Sequence, residues 1–189
     1  VKAAIAKFPE TFELRSFPDK LIVHNEIIKR EAVSLNNYPE NGIIVTGIPH
    51  YDYYVTEGRS SKEEFYQRVK VSANKDIILF CPAGSRMNDV EWHVVKMIDE
   101  AIRSKKIKFP AHILVRQPPN AMMVMGDLKE GENVSFDSMS YKFKTEDPND
   151  WEWSKEDMVH LADSLYHSKM VINYASTITI DAAAFNKPI

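Results

Sequence analysis

The sequence predicts an α/β fold, a Rossmann-like, mostly parallel sheet with helices on both faces. Three observations carry that expectation. Short apolar runs without polar alternation, such as Ile77-Ile78-Leu79-Phe80 and Ile113-Leu114-Val115, suit strands that are covered on both sides. Between them lie segments whose apolar residues recur at helical spacing. The connections are short and dense in turn residues, which favours alternating strands and helices over separate all-α or all-β layers.

Taken in order, Leu21-Ile22-Val23-His24 is the first strand, and Asn25 to Leu35 follows with Ile28, Ala32 and Leu35 on one helical face. Asn36 to Gly42 is rich in turn residues and ends that helix. Ile43-Ile44-Val45-Thr46 is the next strand, and Gly47-Ile48-Pro49-His50 stops it abruptly, a natural place for a domain crossing. Tyr51 to Arg59 reads as a tyrosine-rich loop. Ser60-Ser61-Lys62-Glu63-Glu64 offers a hydroxyl cap followed three positions later by Glu, and it opens a helix reaching about Val71. After the strand Asp76 to Cys81, Pro82-Ala83-Gly84-Ser85-Arg86 forms a small-residue loop. Asn88 then caps a helix with Glu91, and its buried stripe is expected at Val90, Val94, Met97, Ile98, Ala101 and Ile102. The strand at Ile113 ends in Arg116-Gln117-Pro118-Pro119-Asn120. Met122 to Met125 and Val134 to Phe136 are short candidate strands, and Thr145 to Trp153 reads as a loop. Ser154 with Asp157 caps a helix that ends near His167. Met170-Val171-Ile172-Asn173 is the next strand, Ala175-Ser176-Thr177 a break of small residues, and Ile178 to Phe185 a helix. Asn186 to Ile189 closes that helix and begins another strand, so the sequence reads as stopping inside a domain.

Length and composition set the broad class. A chain of 189 residues, 44% hydrophobic, can bury a core and is long enough for one domain or slightly more. The formal net charge of −3 and a pI near 6.1 give no general reason for nucleic-acid or anionic-membrane binding. Nothing approaches the ~20 apolar residues of a membrane span, and the opening VKAAIAKFPE turns polar too soon for a secretory signal. A cytoplasmic protein is expected, with membrane association only through parts outside this sequence. Cys81 is the only cysteine and follows an apolar run, so it reads as a buried thiol rather than a nucleophile. The six histidines include no i, i+4 pair and no Cys/His cluster, so no protein-held metal and no cofactor is expected.

In parallel α/β sheets ligands bind beyond the carboxyl ends of the strands. That rule selects four loops: Gly47 to His50, Pro82 to Arg86, Arg116 to Asn120 and Tyr174 to Thr177. Together they have the composition of a site for a phosphorylated ligand. Gly84 and Ser85 let backbone amides approach an anion, Arg86 and Arg116 pair with phosphate oxygens, and Ser176 and Thr177 bring hydroxyls to a helix opening. Asp181 is placed to accept from a ribose, and His50 follows a turn from which it can reach a ligand. Each feature has a plainer reading as a turn, a surface ion pair, a helix cap or a solvated carboxylate, and only their joint placement favours a site. Trp151 and Trp153 beside Asp147 and Asp150 suggest sugar stacking or, more simply, a loop anchor.

These residues also carry a resemblance. The run from Lys20 to Tyr54, containing NEIIKREAV and IIVTGIPHYDYY with its G-x-P-x-x-D motif, resembles the crossing between the two domains of GT-B-fold nucleotide-sugar enzymes. ILFCPAGSR, HILVRQPPN and MVINYASTITIDAAAFNKPI are similar, in that order, to the donor-binding domain of the same superfamily. The similarity points most to CDP-glycerol glycerophosphotransferase-like and surface-polysaccharide glycosyltransferases, with UDP-N-acetylglucosamine 2-epimerases as neighbours. The resemblance implies an incomplete GT-B carboxyl-terminal domain over residues 47–189, preceded at residues 1–46 by the end of an acceptor domain and the interdomain crossing. It further implies a nucleotide-diphosphate-linked donor held by Gly84, Ser85, Arg86, Ser176 and Thr177, with Arg116 near the base or phosphates. Asp181 stands where the superfamily commonly has Glu against the ribose. An unidentified hydroxyl acceptor would be the second substrate, and the catalytic residue is not assigned. The activity expected is transfer of a sugar or glycerophosphate in surface-polymer synthesis, and this piece alone is expected to bind nucleotide without turning it over. The rival readings are an epimerase on the same scaffold and a non-catalytic α/β regulatory module.

Overall fold

The computed structural model describes residues 18–118, 121–138, 141–142, 151–152 and 154–189. The chain divides between Asp52 and Tyr53 into two compact units. The first contains β1 (Leu21–Val23), α1 (Glu26–Asn36) and β2 (Ile43–Val45), with β1 and β2 parallel and Leu21 opposite Ile43. Asn25 caps α1 by accepting from the Ile28 amide at 2.9 Å, and Asn37, at φ +55°, ends it. Val23, Ala32, Tyr38 and Ile43 form the core of this unit. It contains the β-α unit that the sequence predicts, except that Leu35, expected on the buried helical face, is exposed while Val33 packs against the core.

The second unit begins with α2 (Tyr53–Thr56), where the sequence suggested only a loop, and α3 (Lys62–Arg68). Ser61 and Glu64 form a reciprocal capping box at the start of α3. There follow β3 (Asp76–Cys81), α4 (Glu91–Arg103), β4 (Ala111–Gln117), β5 (Val134–Ser138), β6 (Tyr141–Lys142) and β7 (Trp151–Glu152). The unit closes with α5 (Lys155–His167), β8 (Ser168–Asn173) and α6 (Ile178–Ala184). The main sheet is four-stranded and wholly parallel, in the order β5-β4-β3-β8. Alternate residues of β3 feed two cores. Ile77, Leu79 and Cys81 pack with Phe65, Leu161, Leu165 and Ala182 of α3, α5 and α6, while Phe80 packs with Val95 of α4 on the opposite face. Helices therefore cover both faces, as expected for apolar strands without alternation.

The buried face of α4 meets the expectation at Ile98 and Ile102 and departs from it at Val90, Val94 and Met97. Val90, Val94 and Met97 are exposed, whereas Glu91 and Val95 are buried and Trp92, Ile98 and Ile102 pack against the sheet. Two apolar stripes with the same spacing run along this helix, one residue and therefore about 100° apart. The stripe with the bulkier side chains faces the sheet, and the Glu91 carboxylate fixes the rotation by reaching inward. Asn88 does not cap α4 either: it accepts from the Val90 amide at 3.1 Å, and the N-cap position is Val90. Met122 to Met125 forms no strand; Met123 and Met125 fill the α4 face where a second crossover helix would otherwise sit. Asn120 of the third loop, and Asp147, Asp150 and Trp153 of the sugar-stacking idea, lie outside the described residues.

One buried network anchors α3 and α5. Asp163, fully buried, accepts from the Ser60 amide at 3.2 Å, the Ser60 hydroxyl at 2.5 Å and Arg68 Nη2 at 2.6 Å. Burial alone raises the Asp163 pKa, but the bonds from Ser60 and Arg68 outweigh it and the net shift is downward. A carboxyl depressed in the folded state contributes stability above its unfolded pKa of ~3.9 and loses it as the pH falls through the lower folded value. Asp163→Ala is accordingly expected to lose about 3 kcal/mol at neutral pH. Urea midpoints measured from pH 6 down to pH 2 should also fall less steeply for the variant than for the parent. An unchanged acid slope would show that Asp163 is not the responsible group.

Candidate nucleotide-binding edge

The order of the strands locates the site before any side chain is considered. In chain sequence the sheet winds from β3 through β4 to β5 and then returns to place β8 on the other side of β3. The reversal lies between β3 and β8, and a crevice opens at such a switch point beyond the carboxyl ends of the two strands. Cys81 and Asn173, the last residues of β3 and β8, are opposite each other in register. Of the four loops selected from the sequence, Pro82 to Arg86 and Tyr174 to Thr177 therefore leave from adjacent strand ends. The loop after β4 leaves one strand further away, and His50 belongs to the first unit.

The first of these loops is built around an internal anion. Glu91, only 4% exposed, accepts from the Ala83 amide at 2.7 Å and from the Gly84 amide at 3.0 Å. The Ser85 amide is directed at the carbonyls of Ala121 and Met122, at 3.2 and 3.3 Å. The backbone amides that the sequence reading offers to a ligand are thus already bonded within the protein. Gly84 is required for a different reason. Its φ is +85°, and a Cβ there would stand 1.7 Å from the Ala121 carbonyl oxygen. The Ser85 and Arg86 side chains remain exposed at the loop surface.

The second loop is shaped by Asn173. Its side-chain oxygen accepts from the Ser176 amide at 3.3 Å and the Thr179 hydroxyl at 3.2 Å, which ties the end of β8 to the first turn of α6. Ala175 takes φ +50° in the turn. Ser176 Oγ accepts from the Ile178 amide at 3.4 Å, so Ser176 does the capping, while the Thr177 hydroxyl makes no cap bond and is exposed. Asp181, half-buried in α6, accepts from the Tyr54 hydroxyl at 2.6 Å.

Arg116 is not at the surface. It is 5% exposed and donates to Asp137, opposite it on β5, at 2.5 Å, and to Ser164 Oγ of α5 at 3.3 Å. Asp137 also meets His160 Nε2 at 2.9 Å. Burial pulls the Arg116 pKa down, opposed by Asp137. For Asp137 burial pushes upward, but the bond from His160 and the charge of Arg116 prevail and hold it below the usual carboxylate range. Arg116 is therefore a structural cation of the sheet edge. Cys81 is buried as expected, and burial pushes its thiol up to about 12, which leaves it protonated and unreactive. No group of three or more metal-binding side chains occurs among the described residues, and no helix of the described residues is long and apolar enough to cross a membrane.

Sequence reading missed Glu91, Asn173, Asp137 and Tyr54. Glu91 had a visible signal, three residues after Asn88, but that spacing pointed to a capping box. Tyr54 had none, since its partner lies 127 positions away.

The sequence model of a family described as CDP-glycerol:poly(glycerophosphate) glycerophosphotransferase matches residues 3–189. No curated protein matches the sequence. Among solved structures, the wall teichoic acid polymerase TagF aligns with 90% of this chain at 15% identity and a TM-score of 0.53. A TagF variant soaked with CDPG aligns over the same share at 16% identity and a TM-score of 0.54. This chain spans 38% and 36% of those two chains. At such identities the likeness speaks for the fold, which is the α/β architecture described above.

The loop geometry yields a stability test. Gly84→Ala is expected to lose more than about 2 kcal/mol, from the left-handed backbone together with the overlap on Ala121. Gly131→Ala, where an added Cβ meets nothing within 4 Å, should change the melting temperature little. Equal melting temperatures for the two variants would contradict the packing at Gly84.

Proposed function

This chain belongs to the CDP-glycerol:poly(glycerophosphate) glycerophosphotransferase family, and from that premise we propose that it supplies the donor-binding domain of a transferase using a nucleotide-diphosphate-linked donor. The observation that carries the reading is the switch point between β3 and β8, which sets Ser85, Arg86, Ser176 and Thr177 at the ends of neighbouring strands. Arg86 supplies the positive charge, and Ser85, Ser176 and Thr177 supply hydroxyls to the diphosphate. Gly84 shapes the loop instead of donating to the ligand, and Arg116 supports the edge from within. Asp181 takes the ribose.

In this reading residues 47–189 form the GT-B donor domain, and residues 1–46 are the end of an acceptor domain with the crossing. The compact units part nearby, between Asp52 and Tyr53. The reaction is attack by an acceptor hydroxyl on the glycerol-bearing phosphorus. The acceptor hydroxyl gives its proton to a general base, the bond to the cytidylate breaks, and CMP departs with the charge that Arg86 and the start of α6 stabilise. The product is one unit of a teichoic-acid-like polymer, made in the cytoplasm. Family membership favours this over an epimerase or a regulatory module.

Calorimetric titration with CDP, CDP-glycerol and UDP-N-acetylglucosamine tests the proposal. The cytidine compounds should bind at about millimolar or tighter. Ser176→Ala and Thr177→Ala should each weaken binding about tenfold, the size of one lost hydrogen bond to a charged group. Absence of saturable cytidine binding to the parent protein, or variants that bind as the parent does, would overturn it. Conversion of UDP-N-acetylglucosamine to its epimer without an acceptor would establish the epimerase instead.

A further inference from the structure

The Tyr54–Asp181 bond joins two parts of the second unit that sequence gives no reason to connect. Asp181 and Phe185 are four residues apart and so share one face of the helical turn that ends α6. The Tyr54 ring lies against Phe185, with centroids 4.9 Å apart, and its hydroxyl reaches one turn back to Asp181 Oδ1 at 2.6 Å. Arg59 secures the same segment from outside: it donates to the Tyr53 carbonyl at 2.8 Å and stands over the Phe185 ring at 5.8 Å. The phenol is thus positioned by packing on one side and by a backbone clamp on the other. It meets the only carboxylate on α6.

We infer that Tyr54 is a positioning residue of the donor site, fixing the Asp181 carboxylate so that it can accept from the hydroxyls of a nucleoside diphosphate's ribose. The inference rests on the donor-site reading above. A carboxylate has about four lone-pair sites, and the Tyr54 bond uses one of them. Its effect is orientational. An aspartate held by a packed phenol presents its oxygens in one rotamer, and a ribose hydroxyl that meets a preset acceptor does not lose affinity to ordering it.

The test is a cycle in which the ligand supplies the second change. CDP and 2′,3′-dideoxy-CDP are titrated against the parent chain and against Tyr54→Phe, which removes only the hydroxyl. The parent should prefer CDP, and Tyr54→Phe should weaken CDP about three- to tenfold while leaving the dideoxy compound unchanged. Asp181→Asn probes the ribose contact itself and should weaken CDP alone whether or not Tyr54 orients the carboxylate, while a melting temperature of Tyr54→Phe near that of the parent separates lost positioning from lost folding. Equal weakening of both ligands would make Tyr54 a general packing residue and overturn the inference, as would no change for either. A parent chain that binds neither compound overturns the donor-site reading itself, and this inference with it. A parent that binds both equally, with Ser176→Ala still impaired, overturns only the ribose assignment.

Discussion

The constraint on which the rest of the second unit depends is the position of β3. It is hydrogen-bonded along both edges, to β4 and to β8, and covered on both faces. Ile77 and Leu79 are completely buried, and Ile78, Phe80 and Cys81 nearly so. Such a strand takes a polar side chain only with a buried partner, and its register is held by two ladders at once, with one irregularity against β8 between Ile77 and Ile78. Its rigidity is handed to the loop that leaves it. That loop starts beside the end of β8, and the chain reversal around β3 is what opens the crevice there.

A strand end this constrained still needs its turn satisfied, and the protein does that with its own carboxylate. Glu91 receives the Ala83 and Gly84 amides, and because it opens α4 it also sets which face of that helix meets the sheet. One side chain therefore determines the conformation of the loop and the rotation of the following helix. Asn173 performs the matching task across the crevice, bonding to Ser176 and Thr179. Both loops are held by internal acceptors, so the surface they show to a ligand consists of side chains more than of bare amides.

Much of this architecture is legible in sequence because it depends on local signals. The parallel strands announce themselves by apolar runs, and the boxes Ser61–Glu64 and Ser154–Asp157 are read correctly because both partners lie within one turn. The rotation of α4 is only half legible: Ile98 and Ile102 are read correctly, but in the first turns Val90/Val94 and Glu91/Val95 satisfy the same periodicity. Only the buried role of Glu91 separates them. Arg116 and Asp181 show the limit most clearly. The chemistry of each residue type suggests a ligand contact, and nothing local in the sequence shows that the fold also gives them protein partners, Asp137 and Tyr54, 21 and 127 positions away. Composition identifies a charge; only tertiary structure identifies what it is paired with.

That pairing changes the electrostatics of the proposed site. Arg116 and Asp137 form a buried pair whose charges cancel at short range, and truncating either would strand the other in a low-dielectric interior. Such a pair holds strands together but attracts little from outside. The other positive groups at these two loops are Arg86, which is exposed and therefore screened by salt, and the opening of α6, a helix of only seven residues. Neither is a strong attractor alone. The proposed site therefore rests on fixed geometry more than on accumulated charge: Asn173 sets the turn at Ser176 and the Tyr54 hydroxyl bonds the carboxylate of Asp181. A site of that kind gains selectivity from direction, because a misplaced hydroxyl or phosphate oxygen meets a preset group at the wrong angle and keeps only a small part of the bond.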